Sequence, residues 1–382
     1  MLHRLFARLP AGLRNLVKRV PGASAFRDRL YGHPRGPAAS SGALRPVVYL
    51  PTWLEWEVMK QRPQYLLQAM AGVGHDVWFV DPRVGDPRTI GERIHLVPSI
   101  RPVPGSGVIL YSHFAPTKTL TDRFGDAVVV YDLLDDLAIY EPNELGMPAE
   151  RTVRHHHGPL IEEADVVIVS NPVLAERHRA ERPDLILVEN GVDLARFSPS
   201  GPVAGSLPEG KVVGFHGAVA PWFDFELVAS TAGLRPGLDF VMVGPVDPEV
   251  EDEAEHLDRL SNVTFLPSQP SDRIANFVRG FDVGILPFVV DDMTEAVTPL
   301  KMYEYLASEV PVVATPLPAC VDHPAVATAS DPDRFAALID DALAMSAVER
   351  RALGSHAGPA AWEERIRPLL DRLDEAGLRH VR

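Results

Sequence analysis

The sequence predicts an α/β protein made of two Rossmann-like domains in tandem, and three observations carry that prediction. From residue 46 onward, short apolar runs alternate with amphipathic stretches. The runs are continuously apolar rather than alternating, which marks parallel strands covered on both faces. The pattern halts at a Pro/Gly/Ser-rich patch over 198–210 and then restarts. A chain of 382 residues, 46% apolar and 23% charged, is long enough for two domains and ordinary enough in composition to fold.

In the first half the spacing predicts strands at 47–50, 77–80, 108–111, 127–131, 166–169 and 185–188, with helices starting near Arg62, Thr117, Glu150 and Pro172. In the second half it predicts strands at 212–215, 240–243, 263–265, 283–286 and 312–314. Helices are expected there at 224–232, 271–279, 299–308, 333–345 and 359–375. Tandem doubly wound domains take ligands at the carboxyl ends of their strands, in the cleft between the domains.

The first residues read differently. Residues 1–45 hold nine Lys/Arg and one acid, so they carry +8 while the other 337 residues carry −23. Leu2, Leu5, Phe6, Leu9, Leu13, Leu16 and Val17 recur at helical spacing, with Pro10 interrupting. A basic amphipathic segment of this kind suits an anionic membrane surface, and residues 1–42 are the expected contact. The alternative is a basic extension packed on the body or unstructured. Residues 32–42 read as a linker. No run approaches 18 apolar residues and no signal-peptide core is present, so the expected location is cytoplasmic, peripheral on the inner face of the membrane.

Several function classes drop out. The single cysteine, Cys320, excludes a disulfide framework and a cysteine-built zinc site. A net charge of −15 argues against a nucleic-acid partner. No G-x-G-x-x-G follows a strand and no P-loop is present, so nicotinamide and P-loop chemistry are not expected. Three adjacent histidines, His155 to His157, point in different directions on a helix and make a poor metal site.

The window 291–315, DDMTEAVTPLKMYEYLASEVPVVAT, carries the most chemistry. Thr298 reads as a helix N-cap with Pro299 at the first helical position. Lys301 would fall in the first turn, where a cation opposes the helix dipole. A bound diphosphate would resolve that conflict at the open N–H groups of the helix start. Glu304, one turn on, could accept both hydroxyls of a ribose. The bland alternative is a surface ion pair for Lys301 and an idle Glu304.

This window resembles the C-terminal signature of retaining GT-B nucleotide-sugar glycosyltransferases of the family 4-like, teichuronic-acid and polysaccharide biosynthesis type. There a Glu-x7-Glu motif precedes A-x-G-x-P-V-V-A/S-T. The second glutamate corresponds to Glu304, the first to Ala296, and Glu295 is offset by one. A subgroup with SPLK-x-x-EYLA is similar to TPLKMYEYLA here. Ser308 stands where the family is expected to turn on glycine. The opening, PTWLEWEVMKQRPQYLLQAMAGVGHDVWFVDP, resembles the family's first strand, loop and helix. The segments ADVVIVSN and VENGVDLARF match as well, whereas GFHGAVAPWF replaces a phosphate loop that normally carries Arg and Lys.

The resemblance implies a GT-B fold with an interdomain cleft. It would consist of a basic segment and linker (1–44), an acceptor domain (45–200) and a nucleotide-sugar domain (201–358), with a C-terminal helix (359–382) crossing back to the acceptor domain. It implies transfer of a sugar from a nucleotide-diphosphate donor to a glycan or lipid-linked acceptor, with no cofactor and no metal. The expected catalytic residues are His113, Lys301 and Asp132. Donor-binding residues would be Gly217, Ala218, Val297, Thr298, Lys301 and Glu304, with the backbone amides of Val297 and Thr298 standing in for the missing glutamate. Acceptor-binding residues would be Trp53, Glu55, Trp56, Arg62 and Asp136. The tryptophans would stack on sugar or else brace the loop, and one of the aspartates could instead cap a helix. A rival reading is a sugar-nucleotide-binding protein without catalysis on the same scaffold.

Overall fold

The computed structural model describes residues 32–52, 54–57, 60–134 and 148–381. The basic amphipathic stretch over residues 1–31, Trp53, Asp135 and Asp136 lie outside the described residues. The chain divides into two compact units, one of residues 1–188 with 366–382 and one of residues 189–365.

The first unit is built on an eight-stranded sheet of order β3-β4-β2-β1-β5-β6-β7-β8. Its strands are β1 (Val47–Tyr49), β2 (Val77–Val80), β3 (Arg88–Ile90), β4 (Ile94–Val97), β5 (Ile109–Ser112), β6 (Val128–Leu133), β7 (Val166–Val169) and β8 (Ile186–Leu187). All neighbours are parallel except β3 with β4. Val48, Leu110, Val130 and Ile168 are buried, as the apolar runs require of central strands. The β3–β4 pair was not foreseen because Arg88–Ile90 is an exposed edge strand with no apolar run to signal it.

Helix α1 (Arg62–Gly72) opens with a backbone N–H of Gln61 donating to Gln64 Oε1 at 3.1 Å and closes at Gly74, whose φ of 103° suits only glycine. Helices α2 (Pro148–Glu163) and α3 (Pro172–His178) follow, the latter capped by Asn171 Oδ1 accepting from the Leu174 N–H at 2.9 Å.

The second unit holds a six-stranded, wholly parallel sheet of order β11-β10-β9-β12-β13-β14. Its strands are β9 (Val212–His216), β10 (Asp239–Val243), β11 (Val263–Leu266), β12 (Val283–Leu286), β13 (Val312–Ala314) and β14 (Val326–Thr328). This is the doubly wound order, with its switch point between β9 and β12. The longer helices are α4 (Phe225–Leu234), α5 (Glu251–Asp258), α6 (Ile274–Val278), α7 (Leu300–Ala307), α8 (Pro332–Leu343) and α9 (Ala347–Gly354). α5 and α9 escaped the sequence reading because charge dominates both. Ser346 and Glu349 form a reciprocal capping box at the start of α9.

The break between the units falls at Val188–Glu189, ahead of the expected patch at 198–210. Packing explains the difference: Val192 and Phe197 are buried in the second unit's core, so the segment before the patch belongs to it. At the other end, helix α10 (Arg367–Glu375) belongs to the first unit, whereas residues 359–365 stay with the second. The tail after α10 runs beside the start of β1, with the Arg45 N–H donating to Arg379 O and the Val381 N–H to Ala43 O, both at 2.9 Å. Among the described residues no helix is long and apolar enough to cross a membrane.

Candidate active site

In each unit the candidate residues gather at the carboxyl ends of the strands that flank the switch point, where crossovers leave in opposite directions. The first unit brings Tyr49, His113, Arg62 and Asp132 together around the ends of β1 and β5. Asp132 lies within β6 rather than in the loop after it, and it is fully buried. The Nε of Arg62, from the first turn of α1, meets Asp132 Oδ1 at 3.0 Å and Oδ2 at 2.9 Å. The Tyr111 hydroxyl also donates to Asp132 Oδ2. Burial and the adjacent carboxylate push the Tyr111 phenol well above its usual value, so it keeps the proton it donates.

This corrects two expectations. Asp132 and Arg62 are not a free carboxylate and a free cation for substrate; they neutralise each other in the interior, at 0% and 2% exposure. A buried pair of this kind is costly to break because the survivor is left charged in a low-dielectric site.

His113 follows β5 and is buried, with Nδ1 3.1 Å from the Tyr49 hydroxyl and its ring stacked on that tyrosine at 5.7 Å. Tyr49 in turn shares a 2.8 Å hydrogen bond with Thr52 Oγ1. Burial, aided by the Arg62 charge, lowers His113 to about 3, so the imidazole is neutral at pH 7. It can exchange hydrogen bonds with a sugar hydroxyl but does not serve as a charged acid.

Trp56 is also corrected: it is 4% exposed and packs edge-on to Phe79 at 5.2 Å, so it braces the loop instead of presenting a stacking face. Glu55 lies on the rim, 3.3 Å from Arg83, which also pairs with Asp81 at 2.6 Å.

The second unit's site forms around α7. The helix starts one residue later than the sequence suggested: Pro299 takes the N-cap position and Leu300 the first helical one. Thr298 therefore does not cap. Its hydroxyl is buried without a hydrogen-bond partner among the described residues, and its carbonyl accepts from Asn190 Nδ2 at 2.7 Å. The Val297 N–H donates to Thr294 O at 3.0 Å, which removes it from the expected donor-binding amides. Ala296 is buried and Glu295 exposed, so the offset glutamate does not take the place of the missing one.

Lys301 lies over the ends of β9 and β12. Its Nζ sits 5.4 Å from the Phe215 ring and 5.8 Å from the Phe288 ring. It makes no hydrogen bond or ion pair among the described residues. Burial lowers its pKa, while the charge of Glu304 opposes that shift. Gly217, at φ 120°, makes room for it: a Cβ there would stand 2.3 Å from Lys301 Cε. Gly244 at φ 153° is needed in turn, since its Cβ would meet Gly217 O at 2.1 Å. Two glycines thus let two strand-end loops and a lysine stem share one spot. Ala218 follows in the same loop, half-buried, and Val219 continues it as an extended bridge to Val246.

Glu304 is buried with Oε2 3.1 Å from His216 Nε2. Burial alone would raise its carboxyl. His216 first, then the positive charges of Arg196 and Lys301, outweigh that and hold it below the usual value. His216 is lowered by its own burial despite the carboxylate, so a neutral imidazole beside an ionised Glu304 is the state at pH 7. The His216 N–H donates to the Tyr305 hydroxyl at 3.2 Å, fixing the strand end on α7.

Arg196 is a residue the sequence reading missed. It lies over the Phe197 ring at 5.1 Å and supplies positive charge to the pair from a segment read only as a family match. The expected turn at Ser308 also shifts. Ser308 has an ordinary φ of −86°, and the left-handed residue is Glu309, at φ 60°. Trp222 is half-buried against the core, and its carbonyl accepts from the Val289 N–H at 2.8 Å.

Comparison with known proteins agrees with this fold. The family model "Glycosyl transferases group 1" matches residues 210–345, which lie within the second unit. A protein named as a teichuronic acid biosynthesis glycosyltransferase, TuaH of Bacillus subtilis (strain 168), is 29% identical over 226 residues, 56% of this chain and 57% of its own. The chain spans about half the length of the curated relatives it matches. Sucrose-phosphate synthase from Thermosynechococcus elongatus superposes with a TM-score of 0.60 at 17% identity, covering 87% of this chain and 98% of its own. The Anabaena protein HepE, solved with UDP and glucose, gives 0.60 at 14% identity, covering 86% of this chain and 100% of its own. The chain therefore has the GT-B fold, and residues 210–345 of its second unit match the glycosyl transferases group 1 model.

Proposed function

We propose that this protein is a glycosyltransferase that moves a sugar from a nucleotide-diphosphate donor to a glycan or lipid-linked acceptor. Transfer proceeds with retention and serves the synthesis of cell-surface polysaccharide or glycolipid. One observation carries the reading: Lys301, a cation with no ion-pair partner among the described residues, is held against the Gly217 backbone at the switch point of a doubly wound sheet. Holding a cation in a desolvated site is unfavourable in the empty protein, and a departing diphosphate is the partner that reverses the sign. Charge positioned in advance where negative charge develops is a large source of rate. The names of TuaH and of the UDP- and glucose-bound HepE fit a nucleotide-sugar chemistry.

The other residues take supporting roles. Gly217 and Ala218 let phosphate oxygens approach the backbone, and Glu304 accepts from ribose hydroxyls with the oxygen that His216 leaves open. Neutral His113 hydrogen-bonds a sugar hydroxyl. Lys301 meets the leaving-group charge, so the reaction needs no metal. The basic residues 1–42 hold the body to an anionic inner membrane face, near a lipid-linked acceptor. Vesicle co-sedimentation of full-length and truncated protein at two salt concentrations tests that attachment.

A thermal-shift screen against UDP-, GDP-, ADP- and dTDP-sugars identifies the donor. Release of nucleoside diphosphate that depends on acceptor then tests the reaction. Binding without acceptor-dependent release overturns catalysis and leaves a binding protein. Calorimetry on Glu304→Gln reads the ribose contact as a weaker dissociation constant, and unchanged affinity removes that role.

A further inference from the structure

The chain passes between its two units twice, at Val188–Glu189 and at Arg365–Ile366. On the second unit's side the two crossings are tied together. The Val192 N–H donates to Ala360 O at 2.8 Å, and the Trp362 N–H donates to Val192 O at 3.3 Å. Gly191 is so close that a Cβ would stand 2.6 Å from Ala360 O. Arg365, the last residue before the second crossing, meets Glu189, the first residue after the first, with Nη1 to Oε2 at 2.5 Å.

Both crossings also reach α7. Arg365 Nη2 donates to the Tyr303 hydroxyl at 3.0 Å, and its guanidinium stacks 5.5 Å from that ring. Asn190 Nδ2 donates to the Thr298 carbonyl at 2.7 Å, just before the helix begins. Tyr303 sits between Lys301 and Glu304 in sequence, so its neighbours on the same helix are the two groups assigned to the donor. A shift of α7 that settles Lys301 and Glu304 on a ligand must move or tighten these contacts.

We propose that Arg365, with Glu189 and Asn190, couples the two crossings to the donor helix, so that a nucleoside diphosphate in the pocket and order at the crossings stabilise each other. These are positioning residues, since they act through α7 and not on the substrate. The proposal rests on the reading that the Lys301–Glu304 pocket holds a nucleoside diphosphate. Coupling is reciprocal by linkage, so it is legible from either end.

The experiment is hydrogen exchange on the full chain with and without saturating UDP, GDP, ADP or dTDP, together with calorimetry. In the wild type, the nucleotide that binds is expected to slow exchange at Val192 and Trp362 by about fivefold or more, the lower end of typical coupling. In Arg365→Ala that slowing disappears and the dissociation constant rises by a similar factor. Arg365→Lys, which keeps the ion pair to Glu189, recovers part of both. Asn190→Ala, at the other crossing contact, gives the same signature should Arg365→Ala fail to fold.

Wild-type protection confined to α7 overturns the coupling. So does a variant that melts earlier but keeps the affinity and the protection, because that is a structural role only. If none of the four nucleotides binds the wild type, the pocket reading itself fails and the coupling falls with it.

Discussion

The two switch points share a topology but are finished differently. At β1 and β5 the charged groups neutralise one another: Arg62 and Tyr111 converge on Asp132, and His113 meets Tyr49. At β9 and β12 the carboxylate has a neutral imidazole beside it, while Lys301 lies against ring faces and a glycine backbone and feels Glu304 only at longer range, with no ion pair among the described residues. The first arrangement has its charges matched without a ligand, and what it offers a substrate is the hydrogen bonding of neutral His113. The second is incomplete, and its deficit is one negative charge. A buried polar residue at a strand end therefore does not mark a site unless something is left unmatched.

Breaking the complete pair should produce the largest effect on the fold. Asp132→Asn leaves the buried Arg62 cation without a counter-charge, and the expected loss is about 3–5 kcal/mol of stability. Urea unfolding of the variant reads it directly. A loss well under 1 kcal/mol would mean that the pair is hydrated and that the contrast drawn here is wrong.

Lys301→Met should do the opposite at the other switch point. Removing a cation whose pKa is depressed by burial relieves a cost, so the melting temperature should hold or rise. Acceptor-dependent turnover should fall by roughly 100-fold or more, the usual price of losing one preorganised charge-stabilising group. Unchanged turnover in this variant removes the phosphate assignment.

A smaller effect separates the sites by pH. His113 binds no proton in the folded protein until about pH 3, whereas in the unfolded chain it titrates near 6.5. As pH falls below the unfolded value, only the unfolded chain gains the proton, so stability declines. His113 contributes at most about 1.4 kcal/mol per pH unit to that slope. Denaturation at several pH values between 6.5 and 4.5 should show His113→Gln with the shallower decline. Equal slopes would place a proton on the buried imidazole.

The smallest expected change is at the rim. Glu55→Ala breaks a half-exposed ion pair with Arg83 and should alter stability by less than about 1 kcal/mol. If Glu55 also contacts the acceptor, the KM for acceptor rises while donor affinity stays fixed. Steady-state kinetics with each substrate varied in turn separates the two.

Much of the fold is legible in the residues. Continuous short apolar runs such as Val166–Val169 and Val283–Leu286 read as strands buried on both faces, and the structure places both where the sequence does. Edge strands and charged helices are less legible. Arg88–Ile90 and Glu251–Asp258 have no apolar run, because half their surface faces water and their existence depends on a neighbour. The candidate site was legible in part. Lys301 and Glu304 are visible as a cation and a carboxylate near a helix start, whereas Arg196, Tyr111 and Arg365 act from distant segments with no local signal.

By itself the sequence determined the fold class, the restart of the pattern after residue 210, the glycines at the strand ends and the charge types offered to a ligand. These follow from local chemistry: apolar periodicity, turn residues and formal charge. The tertiary structure decided which charges are already paired. Asp132 and Lys301 look equally available as letters. One lies against an arginine 70 positions away in the chain, and the other has no such partner among the described residues. Pairing depends on distance and burial between segments far apart in sequence, and only the folded chain brings those segments within a hydrogen bond's reach.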